Sequence, residues 1–136
     1  MDLDVGDIAD CDVLVEDGKI AAIGRGLQVA DALEVDAEGT IVLPGFIDTH
    51  RHTWQTAIRG VLGSCTLDGY LGAVLVRMGP EFRPEDVYIG NLLGSLEALS
   101  AGITTLYDWS HATNTPEHAD AKIMGLREAG IRAVFG

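Results

Sequence analysis

The second half of the chain alternates between the two periods of regular structure, and that alternation leaves few folds open. Ile103–Asp108 is a short apolar, β-branched run, and Ile131–Phe135 is another. Between them Thr115 stands as an N-cap, with Pro116 at the first helical position and Glu117 in the first turn. Ala119, Ile123 and Leu126 are spaced for one apolar helix face, and Gly130 ends it. Strand, helix, strand at this spacing is a crossover unit whose strands lie parallel. Upstream, Ile41–Asp48 reads as a further strand, bent by Pro44-Gly45. A helix near 85–101 follows, opened by Pro84, Glu85 and Asp86 and closed by Gly102, with Leu92, Leu96 and Leu99 along its apolar face. The expectation is three parallel neighbours, 41–48, 103–108 and 131–135 in that order, with both helices on one side. The glycine-rich stretch 53–83 is expected to hold one short helix.

The front of the chain has a different texture. Asp12–Glu16 and Lys19–Ile23 are β-rich runs joined by Asp17-Gly18, a pair suited to the positive φ angles of a type I′ turn. Leu33–Asp36 and Thr40–Leu43 repeat the arrangement around Ala37-Glu38-Gly39. Two hairpins cannot close a useful core alone, so residues 1–43 are expected to form part of a small β domain and 44–136 an α/β unit. That unit reads as an unfinished sheet, so the 136-residue chain is expected to be a piece of a larger protein.

Nine basic residues against 21 acidic give a net charge of −12, which argues against a nucleic-acid or anionic-membrane partner, since both are polyanions. No run approaches the roughly 20 apolar residues of a membrane span. The acidic start MDLDVGDIAD does not resemble a secretory signal, and a cytoplasmic location is the expectation. Two cysteines, Cys11 and Cys65, cannot build a zinc ribbon.

The chemistry concentrates in Asp48-Thr49-His50-Arg51-His52. Alternation along a strand sends His50 and His52 to one side, with Asp48, and Arg51 to the other. Two imidazoles at the carboxyl end of an apolar strand can hold one divalent metal, and α/β folds place their sites at such ends. They can equally be surface or capping histidines, because His-x-His also occurs by chance. Asp48 reads as a further ligand, as a residue that supports the pair or as a buried structural carboxylate, the last two being favoured.

The segment Pro44-Gly45-Phe46-Ile47-Asp48-Thr49-His50-Arg51-His52 closely resembles the Pro-Gly-apolar-apolar-Asp-x-His-x-His signature of the metal-dependent amidohydrolase superfamily. It is most similar to the branch holding cytosine deaminase, guanine deaminase and triazine hydrolase. Val13–Ile20 resembles the small β-sandwich of that family, and Ala101-Gly102-Ile103-Thr104-Thr105 its entry to the second barrel strand. The resemblance implies the N-terminal part of a (β/α)8 barrel preceded by part of a β-sandwich, with His50 and His52 as the first two ligands of a catalytic zinc or iron. It further implies hydrolytic deamination of a purine, pyrimidine or triazine-like ring by a metal-bound hydroxide. Dechlorination or amide hydrolysis by the same hydroxide is the alternative, and a noncatalytic structural fragment is another. The partner implied is a small cyclic nitrogen-containing substrate, with a homo-oligomer also open. The family pattern needs a third histidine, an Asp and an acid/base residue from later strands. Because a barrel takes about 250 residues, this stretch is expected to be inactive alone.

Gln55 completes His-x-His-x-x-Gln, and resembling deaminases place a substrate-contacting glutamine there; a solvated polar residue is the plainer reading. His111 follows the second strand, where active-site loops of such barrels begin, and reads either as a substrate contact or as a loop histidine. Trp54 is expected to pack, His118 to lie on the surface, and Arg51 and Arg59 to form structural ion pairs. Gly24-Arg25-Gly26 lacks the third glycine of a dinucleotide loop. Asp2-x-Asp4-x-x-Asp7 lacks the register of a calcium loop. No Walker phosphate loop and no nucleophile elbow occurs.

Overall fold

The computed structural model describes residues 6–136; the acidic start, with Asp2 and Asp4, lies outside them. The chain divides into two compact units, one ending at Pro44 and one covering Gly45–Gly136.

In the first unit β1 (Asp12–Glu16) and β2 (Lys19–Gly24) pair antiparallel. Asp17 and Gly18 take φ of 50° and 73°, the left-handed pair a type I′ turn requires. The second expected hairpin does not form. Residues 32–37 and 40–45 carry no strand, and only a turn at Glu38-Gly39 survives. Leu33 and Ile41 are 93% and 85% exposed, so a ladder there would gain no apolar burial to offset the entropy of ordering it.

In the second unit β3 (Phe46–Arg51), β4 (Ile103–Asp108) and β5 (Arg132–Phe135) form a three-stranded sheet in the order β3-β4-β5. Both pairings are parallel, as the crossover argument requires. The first strand starts at Phe46 rather than Ile41. Pro44 has no N–H to give a ladder, and pairing opens only after the bend, where the Phe46 amide donates to Gly102 O. A register slip follows: Asp48 lies opposite Leu106 but Arg51 opposite Asp108, so β3 carries one extra residue at Thr49-His50.

Helices α2 (Pro84–Ser100) and α3 (Pro116–Ala129) cover one face of the sheet. Ala98, Leu106, Leu126 and Ile131 form the core between them. The opposite face is open, with Ile47, Tyr107 and Val134 exposed. Between β3 and α2 the chain is more helical than its glycines suggest. A 3-10 turn (Thr53–Ile58) is followed by α1 (Leu67–Tyr70), a π-helical continuation (Leu71–Met78) and a short 3-10 turn (Gly79–Glu81).

The buried face of α2 is not the leucine stripe. Val87, Gly90, Asn91, Gly94, Ser95 and Ala98 are buried, whereas Leu96 is 47% exposed. Small residues are needed here because the 3-10 turn lies directly on the helix. A Cβ at Gly90 would stand 2.4 Å from Trp54 O, and one at Gly94 would stand 2.5 Å from Thr56 Oγ1. Gly125 of α3 meets α2 the same way, 2.7 Å from Tyr88 O. Backbone proximity outweighed hydrophobicity in choosing the face.

Helix α3 keeps its expected bounds but turns a different side inward. Leu126 is buried as expected, joined by His118, Ala121, Lys122 and Gly125. The surface expectation for His118 is therefore corrected. Its ring bonds the Thr115 hydroxyl (2.8 Å) and Phe82 O (2.8 Å), which satisfies both nitrogens inside the protein. Thr115 thus spends its hydroxyl on His118 instead of capping the helix backbone. Trp54 packs, fully buried, edge-to-face on Phe82.

Candidate metal centre

His50 is the penultimate residue of β3 and His52 lies one residue past its end. Their rings meet edge to face with centroids 5.2 Å apart. The extra residue at Thr49-His50 revises the simple alternation. Asp48 and Arg51 both face the side of the sheet covered by α2, and the imidazoles are left on the open side. Asp48 accordingly does not share the histidines' face. Its carboxylate accepts from the His50 main-chain N–H (3.0 Å) and lies 3.7 Å from the Arg51 guanidinium.

Arg51 donates to Gly94 O (3.2 Å) and Glu97 (3.0 Å), and Arg59 forks onto the same carboxylate. Both arginines are structural, and they hold the Glu97 carboxyl below its usual range, chiefly through the Arg59 hydrogen bond. The end of β3 is thus tied to α2 on one side while its imidazoles project on the other.

The loop after β4 frames those imidazoles. The Trp109 ring stacks on His50 at 4.7 Å and 17°, and the His111 ring stacks on His52 at 4.4 Å and 29°. Trp109 is itself fixed to β3: its main-chain N–H donates to Arg51 O (2.8 Å) and its indole N–H to Thr49 O (3.0 Å). The Trp109 carbonyl lies 2.8 Å from His52 Nδ1. A carbonyl can only accept, so Nδ1 carries a proton, and in the neutral ring the lone pair is then on Nε2. This is the arrangement by which histidine ligands are oriented, so the pair fits part of a divalent-metal ligand set. No cluster of three or more His, Cys, Asp or Glu suited to a metal occurs among the described residues.

The remaining site residues sort clearly. His111 joins the histidine pair, and burial, then the nearby His52 and Lys122, push its pKa below the ordinary imidazole value. Gln55 is engaged elsewhere: its amide donates to the Tyr70 hydroxyl (2.6 Å) beside a cavity of about 220 Å³ lined also by Ile58, Arg59 and Val74.

Three residues that sequence reasoning passed over support the site. Asp108, fully buried, accepts from the Thr53 main-chain N–H (3.2 Å) and the Asn91 side chain (2.8 Å), seating the turn that follows His52. Trp109 ties the loop after β4 to the end of β3. Lys122 is fully buried and bonds the β4–α3 loop. The available signals were an aspartate closing an apolar strand and a lysine set among the small residues of a buried helix face.

A parallel α/β layer carrying paired imidazoles at the carboxyl end of its first strand is of the α/β class that places its sites at strand ends. Within that class the chain belongs to the amidohydrolase family, whose model matches residues 41–136. It is 36% identical over 133 residues to the 5'-deoxyadenosine deaminase of Methanosarcina acetivorans, covering 98% of this chain and 29% of the relative. It is 32% identical over 125 residues to the 5-methylthioadenosine/S-adenosylhomocysteine deaminase of Pyrococcus furiosus, covering 92% and 28%. Among solved structures it resembles the zinc complex of atrazine chlorohydrolase from Arthrobacter aurescens TC1, with a TM-score of 0.79 and 28% identity over 93% of this chain and 30% of that one. The chain thus spans under a third of the length of these relatives. No helix among the described residues is long and apolar enough to cross a membrane.

Proposed function

We propose that this chain supplies the first two ligands, His50 and His52, of a metal-dependent hydrolase that deaminates a purine or triazine-like ring. The observation that carries the reading is the His52 Nδ1–Trp109 O bond, which in the neutral ring puts the lone pair on Nε2, beside the His50 ring. The deaminase relatives and the zinc-bound structural neighbour support the reaction class and favour zinc over iron. On this reading Gly45–Gly136 is the opening portion of a (β/α)8 barrel and the strands before Pro44 belong to a small β-sandwich.

A divalent ion held there would acidify a water for attack on an electrophilic ring carbon. The chain's own residues orient and shield. Trp109 and His111 stack on the two ligands, and Arg51 and Asp108 anchor the strand end and the turn behind them. Burial lowers the His111 pKa, which favours the uncharged ring beside a neutral heterocycle. Removal of chloride instead of ammonia is the second reading, favoured by the atrazine chlorohydrolase neighbour.

Two imidazoles leave a four-coordinate zinc short of at least one of its usual three protein ligands, so zinc binding by the chain itself is weak. Calorimetric zinc titration tests the site: His50→Ala and His52→Ala each abolish that binding, and retention in both variants would refute the assignment. For the reaction, the gene product carrying this sequence is loaded with zinc and assayed for ammonia from 5'-deoxyadenosine and chloride from atrazine. Ammonia release supports deamination, and chloride alone supports the second reading.

A further inference from the structure

We propose that Lys122 is a positioning residue that holds the 109–114 loop against β3, so that the Trp109 carbonyl fixes the proton of His52 on Nδ1. The proposal rests on the metal-ligand reading of His50 and His52 and deepens it.

Lys122 projects from the buried face of α3 and is fully shielded from solvent. Its ammonium donates to Ser110 Oγ (3.0 Å), to the His111 main-chain oxygen and to Thr113 Oγ1 (2.9 Å). All three acceptors lie in the loop whose other end holds Trp109. The same ammonium stands 6.0 Å from the Trp54 ring, on the turn that follows His52. One side chain therefore braces the loop from below while the loop's rings face the histidine pair.

The loop needs bracing. Ala112, inside the lysine's span, has φ of 54°, a left-handed conformation that a residue with a Cβ adopts only when its surroundings impose it. Three hydrogen bonds from one buried cation to the flanking residues impose it. An apolar packing role would be served by methionine, so an ammonium here has another task. Burial depresses its pKa to about 8, opposed by Asp108, which shows that holding the charge is costly.

The tautomer of His52 is the readout, because it needs no metal and no activity. In wild type at about pH 7, below the Lys122 pKa, nitrogen-15 NMR of the neutral ring should show the proton on Nδ1. Histidine without a partner for Nδ1 favours Nε2–H, which would occupy the nitrogen a metal needs. Lys122→Met, matched in length and apolar, should keep the far-ultraviolet circular dichroism of wild type. Its His52 signals should move toward the Nε2–H form, and zinc affinity should fall about 10- to 100-fold.

A folded Lys122→Met with wild-type His52 signals and zinc affinity within twofold would overturn the proposal. If that variant does not fold, the Ser110→Ala/Thr113→Val double variant removes two acceptors and leaves the lysine in place. It should shift His52 in the same direction, and unchanged His52 signals there would equally overturn it. Failure of the metal reading looks different: wild-type zinc binding would then be indifferent to His50→Ala and His52→Ala, while the tautomer shift in Lys122→Met would still be seen.

Discussion

The Nδ1 nitrogen of His52 lies 2.8 Å from the main-chain oxygen of Trp109, a residue 57 positions further along the chain. The bond joins the ends of two adjacent parallel strands, and Trp109 returns the connection through its own N–H to Arg51 O. The histidine pair is therefore held by its neighbour strand as much as by its own.

Trp109→Ala removes the ring that stacks on His50 and the indole bond to Thr49 O, while leaving the carbonyl that faces His52. The variant should lose about 0.5–1.5 kcal/mol of stability in urea unfolding, the usual worth of an aromatic pair. Zinc affinity should fall less than in His50→Ala, and an equal loss would show that the ring does more than orient His50.

Gly94→Ala places a methyl 2.5 Å from Thr56 Oγ1 and 2.9 Å from Thr53 O, on the helix face beneath the site. The turn after His52 must lift away, at about 1–3 kcal/mol. Gly72 has open space around it, so Gly72→Ala should be neutral or slightly stabilising. Paired thermal melts check the contrast.

Asp86 closes the first turn of α2 and accepts hydrogen bonds from the Arg83 main chain and guanidinium, which bring its carboxyl down from 3.8 to about 2. A depressed folded pKa contributes stability above the unfolded value and loses it as the folded value is passed. The stability gap between wild type and Asp86→Asn should thus be full above about pH 4 and close between 4 and 2. Denaturant melts across that range measure it.

Lys122 titrates in an alkaline window. Its ammonium falls from 10.5 in the unfolded chain to about 8 in the fold, so between those values the unfolded state binds more protons. Its contribution to stability must rise with pH across that interval and be least favourable below it. Burial lowers the Lys122 pKa and Asp108 on the adjoining strand opposes the shift, while Lys122 in turn lowers that of the His111 imidazole. Melts of wild type and Lys122→Met should show the difference moving in favour of wild type from about pH 8 to 10.5. A flat difference would mean that the lysine is not desolvated.

Local patterning by itself determined the helix from Pro116 to Ala129, the Asp17-Gly18 turn and the parallel order of the three strands. Caps, turn residues and the handedness of crossovers act over a few residues and leave their marks in sequence. The histidine pair was legible for the same reason, as a short spacing at a strand end. Only tertiary structure decided which face of α2 is buried, because that depended on how closely the Trp54 and Thr53 backbone approaches Gly90 and Gly94. It alone decided that Asp48 faces Arg51 and not the imidazoles, since the extra residue at Thr49-His50 exists only in the register between β3 and β4. The roles of Trp109 and Lys122 were hidden likewise: each acts on residues from another element, and no local period records a bond that forms only when the elements pack.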